Sequence, residues 1–488
     1  MSAVAPSRVT IVGASAAGLS VAEALRRGGY PGRLTLIGDE PHLPYDRPPL
    51  SKQLLSGAWD ADRLRLRNAG ALDALGLDLR LGAAAVTLDT EAREVALADG
   101  DRVGYDALVL ATGAAARRLP GTDGVAGVHV LRTLEDALDL RRELRPGRRL
   151  VIVGAGFVGA EAAAVARKLG AEVTMVTDAP VPLADALGPD LGAMLAEVHA
   201  EHGVRIISGV RVDAVLTQGG RASGVRLADG RTVEADAVLV GIGARPNTGW
   251  LAASGVAVGD GVECDATLHA GSGVWAAGDV VSWPHPRTGE RIRIEHRANA
   301  TEQGLAVARN ILAGPAHATP FDPLPYVWSD QYDLKIQIYG RIRGCDQVRV
   351  VEGSLAERRL TALYGRDGTV RAVAGVNMPR ATRGYRPLVA EQAPWPRATD
   401  TVPAPSADKT PSTGQAPGTG QAPGTGQAPG TGQAPGTGQA PGTGQAPSGR
   451  QVPSARQVPV ADSAPGSGSA IKDERALGDA VALSGRDA

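Results

Sequence analysis

Cysteine is almost missing from this chain. Among 488 residues only Cys264 and Cys345 are cysteines, far apart and in no CxxC or metal-ligand spacing. A disulfide scaffold is thereby excluded, and so is a redox-active dithiol next to the first nucleotide turn. Both thiols read as packing or surface groups, and no metal site is expected. Net charge is scarce as well: 51 Lys and Arg against 52 Asp and Glu leave −1, so no global field gathers nucleic acid or an anionic membrane. No apolar run approaches the roughly 18 residues that span a bilayer. Met1 to Ser7 lead into an apolar run without signal-peptide features. The expectation is a cytoplasmic protein with neither nucleic acid nor membrane as partner. Apolar residues at 43% and charged residues at 21% are ordinary for a globular chain, and the length leaves room for about three domains.

What is present is organised around Arg8 to Glu40. An apolar run, Val9 to Val12, meets a small-residue turn, Gly13-Ala14-Ser15-Ala16-Ala17-Gly18. A helical pattern follows (Leu19, Val21, Ala22, Leu25), then a second apolar run, Leu34 to Ile37, which ends at Gly38-Asp39-Glu40. Strand, tight turn, helix, strand and acid is the order of a dinucleotide-binding βαβ unit. Glycine lets the backbone turn sharply and approach a pyrophosphate at the helix N-terminus. The terminal acid accepts from a ribose. Ser15 stands where glycine is preferred. The unit is repeated at Leu150: Val151-Ile152-Val153, then a complete G-x-G-x-x-G over Gly154, Gly156, Phe157, Val158 and Gly159. A helix runs through Leu169, and a strand, Val173 to Val176, closes at Thr177-Asp178, 24 residues beyond Gly154. One such turn is weak evidence, whereas two framed alike point to two dinucleotides.

The segments between these units repeat as well. Asp78 to Asp106 reads as an antiparallel β-insert, followed by a buried strand, Ala107 to Leu110, into Ala111-Thr112-Gly113. A second insert, taking in Arg205-Ile206-Ile207 and Ala222 to Val233, leads to Ala237-Val238-Leu239-Val240-Gly241-Ile242-Gly243. An internal duplication is expected. Before the first insert, His42 to Lys52 carries three prolines, which forbid a helix or strand interior until after Pro49 and make a rigid loop bearing Arg47 and Lys52. Arg63 to Arg67 alternates as a short strand with its arginines on one exposed face. Gly273 to Asp279 is a strand ending in Gly278-Asp279, where an aspartate suits a sugar-alcohol hydroxyl or a simple turn.

Together these motifs resemble the two-dinucleotide-binding flavoproteins, specifically the putidaredoxin-reductase-like ferredoxin reductases of oxygenase and cytochrome P450 systems. The likeness is carried by Gly13 to Gly18, Arg47-Pro48-Pro49-Leu50-Ser51-Lys52, Ala111-Thr112-Gly113, Gly154 to Glu161 and Gly241 to Asn247. Ala277-Gly278-Asp279, Glu295-His296, Asn299, Glu302-Gln303-Gly304 and Trp328-Ser329-Asp330-Gln331-Tyr332-Asp333 complete it over about residues 7 to 398.

The resemblance implies an α/β, glutathione-reductase-like fold. The FAD-binding domain would comprise 1–113 and 247–322, an NAD(P)H-binding domain 114–246, and an α+β interface domain 323–398. FAD would lie on Gly13, Ser15, Ala16, Ala17 and Gly18, with Asp39 and Glu40 near its ribose and Asp279, after Gly278, near the ribityl chain. Arg47 and Lys52 would line the flavin, with Thr112, Gly113, Gly243 and Glu295 in the binding set and His296 and Trp328 flanking the ring. NADH, or NADPH in its place, would occupy the second turn and Asp178. The catalytic positions would be Lys52 and Glu161, paired near the nicotinamide. A hydride would pass to the flavin and leave as single electrons to a 2Fe–2S ferredoxin, the chain being a monomer or weak homodimer. Rubredoxin reduction, NADH oxidase activity, or a non-catalytic nucleotide-sensing role resembling apoptosis-inducing-factor-like proteins are the alternatives.

Four positions depart from the family pattern. Thr177 replaces the acid of NADH-dependent relatives, which appears one residue later, and no basic residue stands at Val181 or Leu183 to seat a 2′-phosphate. Arg297 takes the place of a tryptophan, and Ala115-Ala116 that of Arg-Pro. Arg341, Arg343, Arg349, Arg358 and Arg359 could meet an acidic ferredoxin, though a solvated sheet face explains them equally. From Thr413 to Gly442 the hexapeptide Thr-Gly-Gln-Ala-Pro-Gly repeats five times. It lacks the apolar bulk to stack a core, so residues 399–488 are expected to be a disordered tail with at most a short helix over 471–483.

Overall fold

The computed structural model describes residues 6–396. The repeat tail and the helix expected at 471–483 lie outside them. The first apolar runs form one parallel five-stranded sheet, in the order Val274–Ala276, Ala107–Leu110, Arg8–Val12, Arg33–Ile37, Leu77–Arg80. Past the exposed Arg8 and Arg33 that open two of them, its central strands are buried along their length, Thr10 and Thr35 included, because both faces are covered. Ile11, Leu36 and Val109 have no exposed surface. On one face the helix Ala16–Arg27 buries Leu19, Val21, Ala22 and Leu25, and Arg26 and Arg27 close its last turn against the negative end of the helix dipole.

The second sheet copies the first: Val204–Ile207, Glu172–Val176, Arg149–Val153, Ala237–Val240, Val128–His129, again all parallel. The helix Phe157–Lys168 matches the earlier one in length, 12 residues each. The copying reaches a detail that periodicity does not reveal. Asp106, at the foot of the strand Ala107–Leu110, accepts from the Arg8 backbone N–H at 2.9 Å and its guanidinium at 3.0 Å. Asp236, at the foot of Ala237–Val240, does the same to Arg149, with both contacts at 2.9 Å. Each clasp ties the first strand of a unit to the last. The Ser7 hydroxyl and Arg8 pull Asp106 down to about 2, and Arg149 does the same for Asp236.

Three expectations are corrected. Leu77–Arg80 and Val204–Ile207 are edge strands of the parallel sheets and not parts of the inserts. The inserts are the antiparallel triplets Ala85–Asp89, Glu94–Leu97, Arg102–Gly104 and Val212–Gln218, Arg221–Leu227, Thr232–Glu234. Short apolar runs look alike in either setting, and only the partner decides. Arg63 to Arg67 is no strand. Buried Leu64 ends a 3-10 turn over Asp62–Leu64, the Arg63 guanidinium lies over the Trp59 ring at 4.4 Å, and Arg65 turns back onto Asp62 at 2.5 Å.

The two units meet through the antiparallel pair Ala114–Ala116 and Ala244–Pro246. Beside it Thr112 Oγ1 donates to the Asn247 carbonyl and Asn247 Nδ2 to the Thr112 carbonyl, both at 2.9 Å. A third sheet, antiparallel, follows in the order Tyr326–Gln331, Leu334–Gly340, Thr369–Val376, Arg359–Arg366, Gln347–Ser354. Three of the candidate docking arginines are paired at the surface with acids of this chain. Arg343 reaches Asp185 at 2.6 Å and Arg358 reaches Glu201 at 2.7 Å, both on the helix Ala184–Glu201, while Arg341 faces Glu290 at 3.4 Å. Among the described residues no helix is long and apolar enough to cross a membrane.

Candidate active site

The first turn is built by close approach. Gly13 sits at φ 125°, where a Cβ would come within 2.0 Å of the Ala111 carbonyl oxygen, and a Cβ on Gly18 would come within 2.0 Å of that of Gly13. No side chain fits either place. Ser15 is the N-cap of the helix but makes no capping bond, and no acid occupies the first turn, which Ala16 and Ala17 begin. Its amide donors and hydroxyl are thus left for an anionic group. At the end of the next strand Asp39 is exposed. Glu40 accepts from Arg47 Nη2 at 2.5 Å and from the Tyr45 hydroxyl. Arg47 also donates to the Arg132 carbonyl at 2.7 Å.

Above this turn lies the N-terminus of the helix Arg297–Ala313. A Cβ on Gly304 would sit 2.8 Å from the Ala17 carbonyl oxygen, so the two helices touch along their backbones. Gln303, fully buried, accepts from the Gly278 N–H at 2.7 Å through Oε1. Its Nε2 and the His296 Nδ1 are buried without partners. Burial holds His296 down to about 4, neutral at pH 7, against the nearby Asp279 charge. Unpaired buried polar atoms carry a penalty of about 1–3 kcal/mol each, which a bound group with complementary atoms relieves. Among the residues present, these orphans and the glycine cradle fit a dinucleotide such as FAD.

Asp279 pairs with Arg132 at 2.6 Å, and Arg132 also donates to the Ala114 carbonyl at 2.8 Å and lies beside Gly113. Arg132 was not anticipated. The only sequence signal beside it is the capping box Thr133 to Asp136, which marks a helix start and not a site. Arg297, the tryptophan replacement, donates to Asp46 at 2.5 Å and so fastens the helix to the proline loop. Glu295 is exposed and paired with Arg293. Trp328 is half-buried and stacks on Tyr326 at 5.9 Å between centroids. Among the described residues no side-chain hydrogen bond, ion pair or ring contact joins Glu295 or Trp328 to the other expected residues.

The second turn is more open. A Cβ on Gly154 would meet the Gly241 carbonyl oxygen at 2.3 Å and one on Gly159 that of Gly154 at 2.7 Å, whereas Gly156, the helix N-cap, has nothing within 4 Å of that point. Val158 (40%) and Ile242 (38%) are two of only six large apolar side chains left exposed among the described residues. Phe157 is partly buried, Gly243 turns at φ 92°, and Asp178 is exposed at the strand end behind buried Thr177.

Lys52 and Glu161 meet where the units face each other. Lys52 Nζ lies 2.7 Å from Glu161 Oε2, with side chains 12% and 5% exposed. The Ser51 hydroxyl donates to the same oxygen at 2.5 Å and that of Ser329 to Oε1 at 2.6 Å. Three donors satisfy a carboxylate that would otherwise be costly to bury. Ser51 and Ser329 belong to motifs that carried the resemblance, but nothing in the sequence joins them to Glu161, 110 and 168 residues away.

Neither cysteine approaches this chemistry. Both are free, with burial raising Cys264 to about 12 and Cys345 to about 11, so each is held as an inert thiol.

Comparison with known proteins agrees with this geometry. Residues 7–304 match the pyridine nucleotide-disulphide oxidoreductase family and 326–407 a reductase C-terminal family, while 411–440 match a trappin protein transglutaminase binding domain. The rhodocoxin reductase of Rhodococcus erythropolis is 36% identical over 79% of this chain and 90% of its own. The ferredoxin–NAD(+) reductase component of the Pseudomonas putida p-cumate 2,3-dioxygenase system is 38% identical over 68% and 81%. The covalent putidaredoxin reductase–putidaredoxin complex superimposes with a TM-score of 0.75 at 34% identity, covering 80% of this chain and 94% of the other. Two glycine cradles, a C-terminal reductase sheet and a buried Lys–Glu pair between the cradles place the chain in the pyridine nucleotide-disulphide oxidoreductase family, among its FAD- and NAD(P)H-dependent ferredoxin reductases of the putidaredoxin reductase type.

Proposed function

We propose that this chain moves a hydride from NADH, with NADPH as the alternative donor, to FAD and passes electrons singly to a 2Fe–2S ferredoxin serving a P450 or another oxygenase. FAD, when bound, supplies the conversion from two-electron to one-electron transfer. The protein supplies place and orientation. In this reading residues 1–113 and 247–322 hold FAD, 114–246 hold the pyridine nucleotide and 323–398 form the interface domain, in a cytoplasmic monomer or weak homodimer.

The observation that carries the reading is the buried Lys52–Glu161 pair, which joins the loop of the first unit to the helix of the second. Glu161 fixes the Lys52 ammonium at the boundary between the two cofactor cradles. There it orients the carboxamide end of a nicotinamide against the flavin side. Gly13, Ser15, Ala16, Ala17 and Gly18 receive the FAD pyrophosphate, Glu40 and Asp39 its ribose, and Arg47, Thr112, Gly113, Gly278 and Asp279 the remainder. His296, kept neutral, offers a hydrogen-bonding ring without adding charge, and Trp328 closes the open side. Gly154, Gly156, Phe157, Val158 and Gly159 receive the nicotinamide nucleotide and Asp178 its ribose. The two inert thiols leave no disulfide outlet, which favours a one-electron acceptor.

Anaerobic titration tests this. NADH should bleach the yellow of the FAD-loaded chain, and cytochrome c reduction should depend on added 2Fe–2S ferredoxin. Slow turnover that ignores ferredoxin would shift the reading to a nucleotide sensor, and a protein that takes up no FAD would end it.

A further inference from the structure

A row of side chains leads from Glu161 into the protein and ends on a histidine. Ser329 Oγ, 2.6 Å from Glu161 Oε1, lies 3.2 Å from Gln331 Nε2. Gln331 Oε1 lies 3.0 Å from His199 Nε2, and His199 Nδ1 lies 3.0 Å from the Tyr332 hydroxyl. Ser329, Gln331 and His199 have no exposed surface. The row draws on three separate segments: the helix Phe157–Lys168, the strand Tyr326–Gln331 with its turn, and the helix Ala184–Glu201.

The hydrogens in this row can be placed one after another. An ionised carboxylate only accepts, so the single Ser329 hydrogen goes to Glu161. Ser329 must then accept, and the Gln331 amide is the donor at hand, which turns its oxygen toward His199. That oxygen needs a hydrogen on Nε2. His199, held neutral by its burial, then presents Nδ1 as the acceptor for Tyr332. Every donor points toward Glu161, and bonds aligned in one sense strengthen one another.

The far end is anchored at some cost. Tyr332 occupies the left-handed region at φ 56°, unfavourable for a side chain of its size, and stacks on His202 with centroids 3.7 Å apart.

We propose that His199 is a positioning residue for the Lys52–Glu161 pair. Through Gln331 and Ser329 it fixes Glu161 Oε1, so that Oε2 stays turned to Lys52. This rests on the reading of that pair as the one facing the nicotinamide. A histidine that merely fills the core would sustain folding but would not couple to Ser329.

The test is anaerobic stopped-flow reduction of the FAD-loaded full chain by NADH, in His199→Ala, His199→Gln, Ser329→Ala and the double variant His199→Ala/Ser329→Ala. Losing the alignment of one neutral hydrogen bond predicts a limiting flavin-reduction rate about fivefold lower in His199→Ala, with the NADH Kd moved less than about twofold. His199→Gln, which retains a donor near the Nε2 position, should recover most of the rate. In the Ser329→Ala background the His199→Ala effect should vanish. Wild-type rates in both His199→Ala and Ser329→Ala, or equal losses from His199→Ala with and without Ser329, overturn the proposal. If His199→Ala fails to fold, His199→Gln alone and in the Ser329→Ala background reads the same coupling. A wild-type chain that NADH does not reduce overturns the reading beneath, which is a separate result.

Discussion

The two nucleotide turns share one backbone plan but differ in cover. Around Gly13 to Gly18 a second helix, Arg297–Ala313, closes against the first, and Gln303 and Gly278 seal the top. Around Gly154 to Gly159 the cover is thinner: among the described residues nothing lies within 4 Å of a Cβ placed on Gly156, and Val158 and Ile242 remain exposed. Glu40 is held by Arg47 and Tyr45, while Asp178 stands in solvent. A roofed cradle suits a cofactor that stays, and an open one a nucleotide that must leave after each turnover. A duplicated unit thus presents two differently covered turns through what packs on top of it, without a change in its own strand order.

The contrast can be broken at its foundations. Gly13→Ala places a Cβ within 2.0 Å of a backbone oxygen at φ 125°, and a loss of about 4 kcal/mol is expected, with protein purified colourless. Gly154→Ala, facing the Gly241 oxygen at 2.3 Å, should instead leave the yellow colour and abolish measurable NADH binding. Equal flavin content and equal NADH affinity in the two variants would contradict the assignment of the turns.

The joint between the units comes next. Glu161→Ala leaves Lys52 buried without its carboxylate, a change expected to cost about 3 kcal/mol in thermal or urea unfolding and to slow flavin reduction. Glu161→Gln, which keeps the shape, should separate the two effects by restoring most of the stability but not the rate.

Smaller effects sharpen the picture. Asp178→Ala should raise the KM for NADH by about five- to tenfold with flavin content unchanged, as expected for loss of a charged hydrogen bond to a ribose. A KM that does not move would mean that Thr177, buried one residue earlier, has displaced the acid from its role. The smallest concerns the clasps. Asp106 and Asp236 have folded pKa values depressed to about 2, below the roughly 3.9 of a free aspartate. Their contribution is therefore present above about pH 4 and is lost as pH falls toward 2. Because both carboxylates keep part of their surface in solvent, 29% and 25%, it should be small. Melting temperatures between pH 2 and pH 5 should fall less steeply in Asp106→Asn and Asp236→Asn than in the parent.

The glycine turns and their strands were legible in advance because they rest on local pattern, and the Lys52–Glu161 pairing because the family resemblance implied it. Other parts were not. Leu77–Arg80 and Val204–Ile207 are short runs whose parallel partners lie 43 positions earlier (77 − 34) and 31 positions earlier (204 − 173), the latter across the helix Ala184–Glu201, so their sheet was decided by packing. Arg132 meets Asp279 across 147 residues. Ser329 and Gln331 share a face of the strand Tyr326–Gln331 with Val327, opposite Tyr326 and Trp328, so alternation alone favoured the aromatic face as the buried one. His199 left no trace, since a histidine on the buried face of a helix reads as ordinary core.

The sequence by itself determined two βαβ units and their order, because these depend on residues within about thirty positions. Only the tertiary structure decided which cradle is closed, which acid is free and what holds Glu161 in place. Those outcomes depend on burial and on donor–acceptor distances between segments a hundred or more residues apart, and no local pattern encodes a distance in space.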